Sequence, residues 1–312
     1  MSEWLMKRIV FYGKNGNRYK LKILNYIRRI LLRFYNPVIK VQIGDKKLYM
    51  NLSHQLPIYL VQHKLYDTAL ARLVKQLGTN KKLNIIDVGA NIGDTVALIK
   101  TSNKNVDILC IEGNHEYLSL LKKNYSDDNS VTIEATFCSD VSEIKSINLD
   151  TSGGTATIDL NTTSDKQAEF LTLDEIIKKH SRFSNIDFIK VDTDGFDYKV
   201  LRGAIEVLKN QQPFVFFELD KHFLSKNNEN VMSIFELFEN NNYESFILYD
   251  NYGYLVGLFT FEQLTIVEDI INYMDNKQMY LDVLMIKDSV IAKKLYESEN
   301  DSIGTILKEK ND

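Results

Sequence analysis

The chain has 312 residues, of which 44% are hydrophobic and 26% are charged, so it can bury a substantial core and has the composition of a globular protein. Its net charge of −4 is unevenly distributed. Residues 1–40 hold ten lysines and arginines and one acid, whereas the other 272 residues hold 28 basic and 41 acidic residues. Such an acidic body argues against a nucleic-acid partner.

A basic amphipathic helix is predicted over residues 20–35. Its apolar residues recur at helical spacing: Ile23, Leu24, Ile27, Ile30, Leu31 and Phe34. The other side carries polar and basic residues: Lys22, Asn25, Arg29 and Arg33. Such a helix can make a peripheral contact with an anionic membrane, or it can pack on the rest of the protein with a solvated basic edge. The sequence leaves both alternatives open.

The whole of residues 1–78 is predicted to form a basic N-terminal extension of helices and a hairpin. Pro37 ends the amphipathic helix. Residues 38–51 contain two strand-like stretches separated by Gly44 and Asp45, which predicts a hairpin. Residues 56–78 are mostly helical in pattern and lead into the first strand of the core.

A strand, a glycine turn and a helix are predicted at the start of the core. Leu83–Val88 has the apolar run of a buried parallel strand. Gly89 and Gly93 then bracket a tight turn, and a helical pattern begins at Thr95. This combination brings bare backbone close to a ligand, with the free N–H groups of the helix pointing at it.

The next strand supplies a second binding signal. Val106–Ile111 is apolar and ends on Glu112. In a doubly wound fold, an acid at the tip of the second strand binds the two hydroxyls of a ribose. The spacing therefore predicts a nucleoside-containing cofactor.

The glycine spacing indicates which cofactor. Dinucleotide enzymes use G-x-G-x-x-G, but here Asp87 stands before a turn with the pattern Gly-x-x-x-Gly. An acid there would repel a pyrophosphate and would suit a cation, as in S-adenosylmethionine. The predicted cofactor-binding residues of this first unit are Asp87, Gly89, Ala90, Asn91, Gly93 and Glu112.

The rest of the chain continues to alternate strands and helices. Further strands are predicted at 131–137, 186–191, 213–219, 245–249 and 281–286, with an inserted hairpin at 144–160. Helices are predicted at 114–125, at 172–180 and near 229–240. This alternation predicts an α/β, Rossmann-like fold with a mostly parallel sheet and helices on both faces. The core is expected to span residues 79–290, followed by a helical tail at 291–312.

A later motif completes a family resemblance. Residues 190–197 read Lys-Val-Asp-Thr-Asp-Gly-Phe-Asp, and Val-Leu-Arg-Gly-Ala follows at 200–204. Together with residues 87–93 and 111–114, this motif resembles the FkbM family of S-adenosylmethionine-dependent methyltransferases, although aspartates stand where glutamates are usual. The resemblance implies a class I methyltransferase that O-methylates a hydroxyl, often of a sugar or a natural product. We therefore expect a sugar or glycan acceptor, carried on lipid if the N-terminal helix contacts a membrane.

Acids at strand ends supply the candidates for chemistry. Asp192 is the first candidate for the general base, followed by His222 and Asp194. Asp194 has an alternative interpretation as a helix N-cap. Asp192, Asp194 and Glu218 also make a candidate site for Mg²⁺ or Mn²⁺.

Other polar residues have weaker signals. Ser139 and Asp140 are predicted to lie at the adenine-binding edge. His54 could reach the site from the N-terminal extension. Lys190 lies within a predicted strand, and its side chain is expected to reach toward an edge.

Two alternative functions stay open. One is a catalytically silent, S-adenosylmethionine-binding partner subunit, and the other is a nicotinamide dehydrogenase, which the glycine spacing disfavours. The sequence does not define an oligomeric state.

The predicted cellular location is the cytoplasm. Cys110 and Cys138 fall in apolar stretches without a disulfide or metal-binding spacing, as is typical of reduced thiols. The sequence has no apolar run long enough to span a bilayer and no secretory pattern at its start. Attachment through residues 20–35 would place the protein at the inner face of the membrane.

Overall fold

The structure, a computed structural model, describes residues 1–152, 155–159 and 166–308. Its α-helices are α1 (Ser2–Lys14), α2 (Arg18–Leu32), α3 (Leu56–Gln62), α4 (Ala69–Leu77), α5 (Asp94–Ser102), α6 (His115–Tyr125), α7 (Leu173–Lys179), α8 (Asp197–Arg202), α9 (Ile205–Asn210), α10 (Lys221–Lys226), α11 (Ser233–Asn240), α12 (Leu264–Asn276) and α13 (Ser289–Lys308). Its strands are β1 (Val38–Ile43), β2 (Lys46–Asn51), β3 (Leu83–Val88), β4 (Val106–Ile111), β5 (Val131–Glu134), β6 (Phe137–Cys138), β7 (Glu143–Ser146), β8 (Asn148–Ser152), β9 (Thr155–Asp159), β10 (Gln167–Leu171), β11 (Phe188–Val191), β12 (Phe214–Leu219), β13 (Ser245–Asp250), β14 (Leu255–Thr260) and β15 (Leu281–Ile286).

An eight-stranded sheet forms the centre of the fold, in the order β14-β13-β15-β12-β11-β3-β4-β5. The pairs from β12 through β5 are parallel, whereas β15 is antiparallel to both β12 and β13. All residues of β4 and β11 are buried, as expected for strands covered on both faces. The predicted α/β fold with a mostly parallel sheet is confirmed.

Strand order places the site. β3 and β11 lie side by side although they are distant in sequence. The chain continues from β3 to β4 on one side of this pair and from β11 to β12 on the other side. Ligands bind at such a switch point, outside the carboxyl ends of the strands. Because β15 runs antiparallel, its first residues reach the same edge, and Asp282 pairs in register with Glu218 of β12.

Two hydrophobic clusters cover the two faces of the sheet. One joins the N-terminal helices, β1, β2, α5 and α6 to the sheet through side chains such as Leu48, Ile85 and Ile99. The other joins α7 to α9, α11 and α12 to the opposite face through residues such as Ile189 and Phe235. The strands are therefore held between two layers of helices.

The N-terminal extension packs on the core rather than standing apart from it. Leu5, Met6 and Ile9 of α1 are buried. The predicted hairpin is confirmed as β1 and β2, with Val41 paired to Leu48, and the inward residues of β1 alternate with exposed ones. Among the described residues, no helix is both long enough and apolar enough to cross a membrane.

Several local predictions need correction. The predicted strand 131–137 is two strands, because Glu134 ends the pairing with β4 and Phe137 pairs instead with Phe170 of β10. The inserted hairpin is present as β8 and β9, although residues 153, 154 and 160 lie outside the described residues. The helices α10 and α12 and the edge strand β14 were not predicted.

The C-terminal helix α13 packs against the core. Ala292, Leu295 and Ile303 are buried. Glu299 is fully buried, and its Oε2 forms an ion pair with Nη2 of Arg72 of α4 at 2.9 Å. A buried charge needs such a partner, so this pair fixes α13 on the N-terminal helices.

Candidate active site

Two neighbouring cavities open at the carboxyl edge of β3 and β11. The larger has a volume of about 390 Å³. The smaller, of about 70 Å³, is lined by residues that include Glu112, Tyr117, Phe137 and Phe196. Four residues line both cavities: Gly89, Asn91, Asp192 and Asp194. These four therefore mark the junction at which ligands in the two cavities would meet.

Glu112 is a fixed acceptor at the tip of β4. Its Oε2 accepts a hydrogen bond from the backbone N–H of Asn91 at 2.8 Å, and its Oε1 accepts one from that of Asn114 at 2.7 Å. Burial raises the pKa of Glu112 to about 7, against the opposing effect of these two hydrogen bonds. Each carboxylate oxygen has further acceptor capacity, so Glu112 can also accept from the hydroxyls of a ribose.

The glycine turn is required by packing as well as by ligand access. Gly89 has a φ of 77°, and a Cβ there would lie 1.9 Å from the carbonyl oxygen of Asp192. Gly93 has a φ of 82°, and a Cβ there would lie 2.3 Å from the ring of Tyr125. Both conformations favour glycine. Gly89 and Asn91 line the cavities, whereas Gly93 and the buried Ala90 lie behind them.

A buried lysine joins two of the predicted acids. The Nζ of Lys190 lies 3.3 Å from Oδ1 of Asp87 and 3.1 Å from Oδ2 of Asp192. Burial disfavours the charge on Lys190, but Asp192 and Asp87 outweigh burial and raise its pKa. The Lys190 side chain therefore stays buried between these two acids, whereas the sequence predicts that it would reach toward an edge. Asp87 is fully buried and lies behind the cavity, where it pairs with this lysine.

The far wall of the larger cavity is acidic and aromatic. Asp67, Glu218 and Asp282 line it, and burial together with neighbouring carboxylates raises the pKa of each. Tyr66 and Tyr280 lie in the same wall. The sequence analysis identified Glu218 but not the other four residues. Tyr66 and Asp67 come from the loop before α4, Tyr280 directly precedes β15, and Asp282 lies at the start of β15. The pairing of Glu218 with Asp282 is the one signal that could have identified Asp282.

The predicted metal site is not supported. Asp192, Asp194 and Glu218 all line the larger cavity. However, no group of three or more histidine, cysteine or acidic side chains among the described residues is arranged so that it could hold a metal ion.

The structure brings His54, not His222, to the site. His54 is 6% exposed and lines the larger cavity, and burial lowers its pKa. Its Nδ1 accepts a hydrogen bond from the backbone N–H of Leu56 at 3.4 Å. His222 is exposed on α10 and lines neither cavity. The structure therefore does not place His222 where a general base is needed.

The acidic turn after β11 has two differently placed aspartates. Asp194 lines both cavities and adopts a φ of 49°. It is not the N-cap of α8, since that position belongs to Phe196. The buried Asp197 holds the turn instead, because its Oδ2 accepts from Thr193 Oγ1 at 3.1 Å and from the Gly195 N–H at 3.2 Å.

Ser139 and Asp140 lie outside both cavities. Asp140 forms an ion pair with Arg202 at 3.2 Å. The segment that lines the smaller cavity comes just before them, at Thr136, Phe137 and Cys138. The structure therefore does not place Ser139 and Asp140 on the wall of either cavity.

The residues that line the two cavities fit S-adenosylmethionine. Glu112 offers an acceptor for ribose hydroxyls, and Phe137 and Phe196 supply apolar surface beside it. The N-terminus of α5 faces the larger cavity through Asp94 and Thr95, where free N–H groups suit the carboxylate of an amino acid. The surplus of acids over Lys190 suits a cationic group.

Residues 87–245 match the model of the methyltransferase FkbM domain, which covers about half of the chain. The chain belongs to the FkbM family of S-adenosylmethionine-dependent methyltransferases. No curated protein matches the chain.

Solved structures similar to this FkbM family member share little sequence with it. Precorrin-6y C5,15-methyltransferase from Geobacter metallireducens is 12% identical, with a TM-score of 0.39, and the match covers 70% of this chain and 87% of that one. Methyltransferase FkbM from Methylobacillus flagellatus is 16% identical, with a TM-score of 0.34 and coverages of 58% and 46%. The N-terminal domain of human METTL16 in complex with SAH is 10% identical, with a TM-score of 0.40 and coverages of 75% and 71%.

Proposed function

We propose that this protein transfers a methyl group from S-adenosylmethionine to a hydroxyl of a sugar or glycan. The observation that carries the proposal is the position of Asp192, which lines both cavities. A cofactor held at Glu112 and an acceptor in the larger cavity would meet at this carboxylate.

The larger cavity suits an acceptor with many hydroxyls. Asp67, Glu218 and Asp282 can accept hydrogen bonds from hydroxyls, and in their protonated forms they can also donate. The rings of Tyr66 and Tyr280 provide flat surface for the apolar face of a sugar ring. A few directed polar groups on aromatic walls are typical of small-molecule sites.

The bound cofactor would supply an electrophilic methyl group on a sulfonium. The protein's part would be to hold the acceptor hydroxyl in line with the methyl–sulfur bond, which breaks as the new O–C bond forms, and to remove the hydroxyl proton. Asp192 is the proposed proton acceptor. Lys190, at 3.1 Å, holds the carboxylate in place through an ion pair.

Methyl transfer to a panel of glycans tests the proposal. Asp192→Asn should bind the cofactor nearly as well as the wild type but transfer methyl groups about 100-fold more slowly or worse. His222→Gln is the matched control and should retain full activity, because His222 lies outside the cavities.

Three outcomes would contradict the proposal in different ways. Wild-type turnover in Asp192→Asn would show that another group takes the proton. Cofactor binding without transfer to any acceptor would favour the silent partner subunit. Activity that is lost with a chelator and restored by Mg²⁺ or Mn²⁺ would make Asp192 a metal ligand instead of a base.

A further inference from the structure

The amphipathic helix α2 is attached to the protein by one face and leaves the opposite face uncovered. Leu21 is buried, and Leu24 and Leu31 pack against the core beneath the N-terminal helices. Ile23, Ile27 and Ile30 are 42%, 41% and 40% exposed. The apolar stripe predicted from the sequence is therefore two stripes, of which only one packs on the protein.

The uncovered face is both apolar and basic. Ile23, Ile27 and Ile30 follow one another at intervals of three or four residues, so they share one side of the helix. Phe34, just beyond the helix, is 84% exposed. Three exposed cations border this side: Lys22, Arg29 and Arg33.

Helix α1 extends the same kind of surface. Trp4 and Phe11 are 56% and 52% exposed, and Lys7, Arg8 and Lys14 are exposed between or beside them. The guanidinium of Arg8 lies 5.6 Å from the centre of the Trp4 ring. Apolar rings interspersed with cations are the composition expected of a helix pair that lies in a lipid headgroup region.

We propose that α1 and α2 dock on an anionic membrane surface. Charge selects this partner, because residues 1–40 carry a surplus of nine positive charges whereas the rest of the chain carries a surplus of thirteen negative charges. The basic residues are attracted to the anionic lipid surface, and the apolar side chains insert among the lipid headgroups. The acidic body is repelled from the same surface, so the protein docks in one orientation.

The docking helix is connected to the larger cavity through Arg28. Unlike its neighbours, Arg28 is buried, and its Nε donates to the carbonyl of Leu52 at 2.7 Å. Its Nη2 also donates to the carbonyl of Ser53 and to that of His54 at 3.4 Å. Because His54 lines the cavity, these hydrogen bonds join α2 to the cavity wall. Docking would thus set the orientation of the cavity relative to the membrane.

Sedimentation of the full-length protein with vesicles tests the proposal. The protein should bind vesicles of phosphatidylglycerol and phosphatidylcholine at low salt and should bind pure phosphatidylcholine weakly. The charge-removal variant replaces three exposed cations: Lys22→Gln, Arg29→Gln and Arg33→Gln. It should lose about fivefold in partitioning per residue at low salt, or about 100-fold in total. The matched control replaces three exposed cations elsewhere and should bind normally: Lys287→Gln, Lys293→Gln and Lys294→Gln.

A second variant separates the apolar contribution from the electrostatic one. Ile23→Gln, Ile27→Gln and Ile30→Gln together should lower partitioning by an amount that added salt does not change, since salt screens only the charges. Ile266→Gln with Val290→Gln, at exposed positions on other helices, is the control. Thermal unfolding of each variant should stay close to that of the wild type, because the replaced side chains do not pack on the core.

Two results would overturn the proposal. One is failure of the wild type to bind anionic vesicles at low salt. The other is light scattering that shows a wild-type dimer and a monomeric isoleucine variant, which would make the face a contact between copies of the chain. Vesicle binding and methyl transfer are measured separately, so failure of one does not decide the other.

Discussion

Binding of the cofactor should depend on the protonation state of Glu112. In the free protein, burial raises the pKa of this carboxyl from 4.5 to about 7. Ribose hydroxyls donate more strongly to a carboxylate than to a carboxylic acid. A ligand held in this way stabilises the ionised form, so binding at a pH below 7 must release a proton from Glu112.

Linkage gives the direction and size of the effect. As the pH falls from about 7 toward 4.5, the affinity should drop by up to about tenfold per pH unit, because a growing fraction of Glu112 must lose its proton first. Hydrogen bonds to a charged group contribute about 1.5–3 kcal/mol each. Glu112→Ala should therefore cost about 2–4 kcal/mol of binding, or roughly 30-fold to 1000-fold in affinity.

Calorimetry with S-adenosylhomocysteine, the unreactive demethylated product, measures both quantities. Titrations in buffers with different ionisation enthalpies report the released protons directly. Glu112→Gln should remove the contribution of Glu112 to the pH dependence between 4.5 and 7 and leave that of the acids in the larger cavity. Asp197→Asn is the control, because Asp197 also has a pKa raised to about 7 by burial but lines neither cavity.

Two results would refute the reasoning on Glu112. One is an affinity that is flat over this pH range in the wild type. The other is unchanged affinity in Glu112→Ala. The unfolding of each free variant must also be measured, because Glu112 accepts hydrogen bonds from two backbone N–H groups of neighbouring turns.

Three stability predictions follow from buried groups and from glycines. The pKa of Asp197 in the folded protein is about 7, above its ordinary value of 3.8, so ionisation of this buried carboxyl destabilises the fold as the pH rises toward 7. Asp197→Asn should therefore raise the free energy of unfolding in urea by up to about 4 kcal/mol above pH 7. The same substitution should change the stability little below pH 4. Lys190→Met should cost about 3–5 kcal/mol because it leaves Asp87 buried without its cation, and adding Asp87→Asn should restore part of the loss. Gly89→Ala should lower the free energy of unfolding by more than about 2 kcal/mol and weaken cofactor binding, because the φ of Gly89 is 77° and an added Cβ would meet the backbone. Gly304→Ala should instead raise the free energy of unfolding by about 0.5–1 kcal/mol, because the Cβ would point into open space on α13. Equal effects of the two glycine substitutions would contradict the last of these.

The central sheet was predictable because its strands are apolar on both faces. β3, β4, β11 and β12 are short apolar runs between helical patterns, and that pattern has few other solutions. The edge strand β14 was missed because it is partly exposed and contains Gly257, which weakens a strand pattern. The break after Glu134 was missed because Phe137 continues the apolar pattern although it pairs with a different sheet.

The site was predictable where a local motif or the end of a strand marks it. A short sequence motif identifies each of three segments: the turn after β3, the tip of β4 and the acidic turn after β11. Their residues Gly89, Glu112 and Asp192 do line the cavities. Asp67 and Asp282 come from segments without a motif, and only the folded chain brings them to the edge of β11. His222 was chosen by its distance along the chain from Glu218, but the short helix α10 turns it toward solvent.

The position of Lys190 explains why so many carboxyl groups can share one cavity. Asp87 and Asp192 flank its ammonium directly, and its charge also acts against the raised pKa values of Asp67 and Asp282. One cation cannot neutralise all of these acids, so several of them retain protons more strongly than free carboxyls do. A cationic ligand would supply the missing charge, whereas an anionic one would increase the repulsion. The arrangement therefore suits the cation of S-adenosylmethionine better than an anionic ligand.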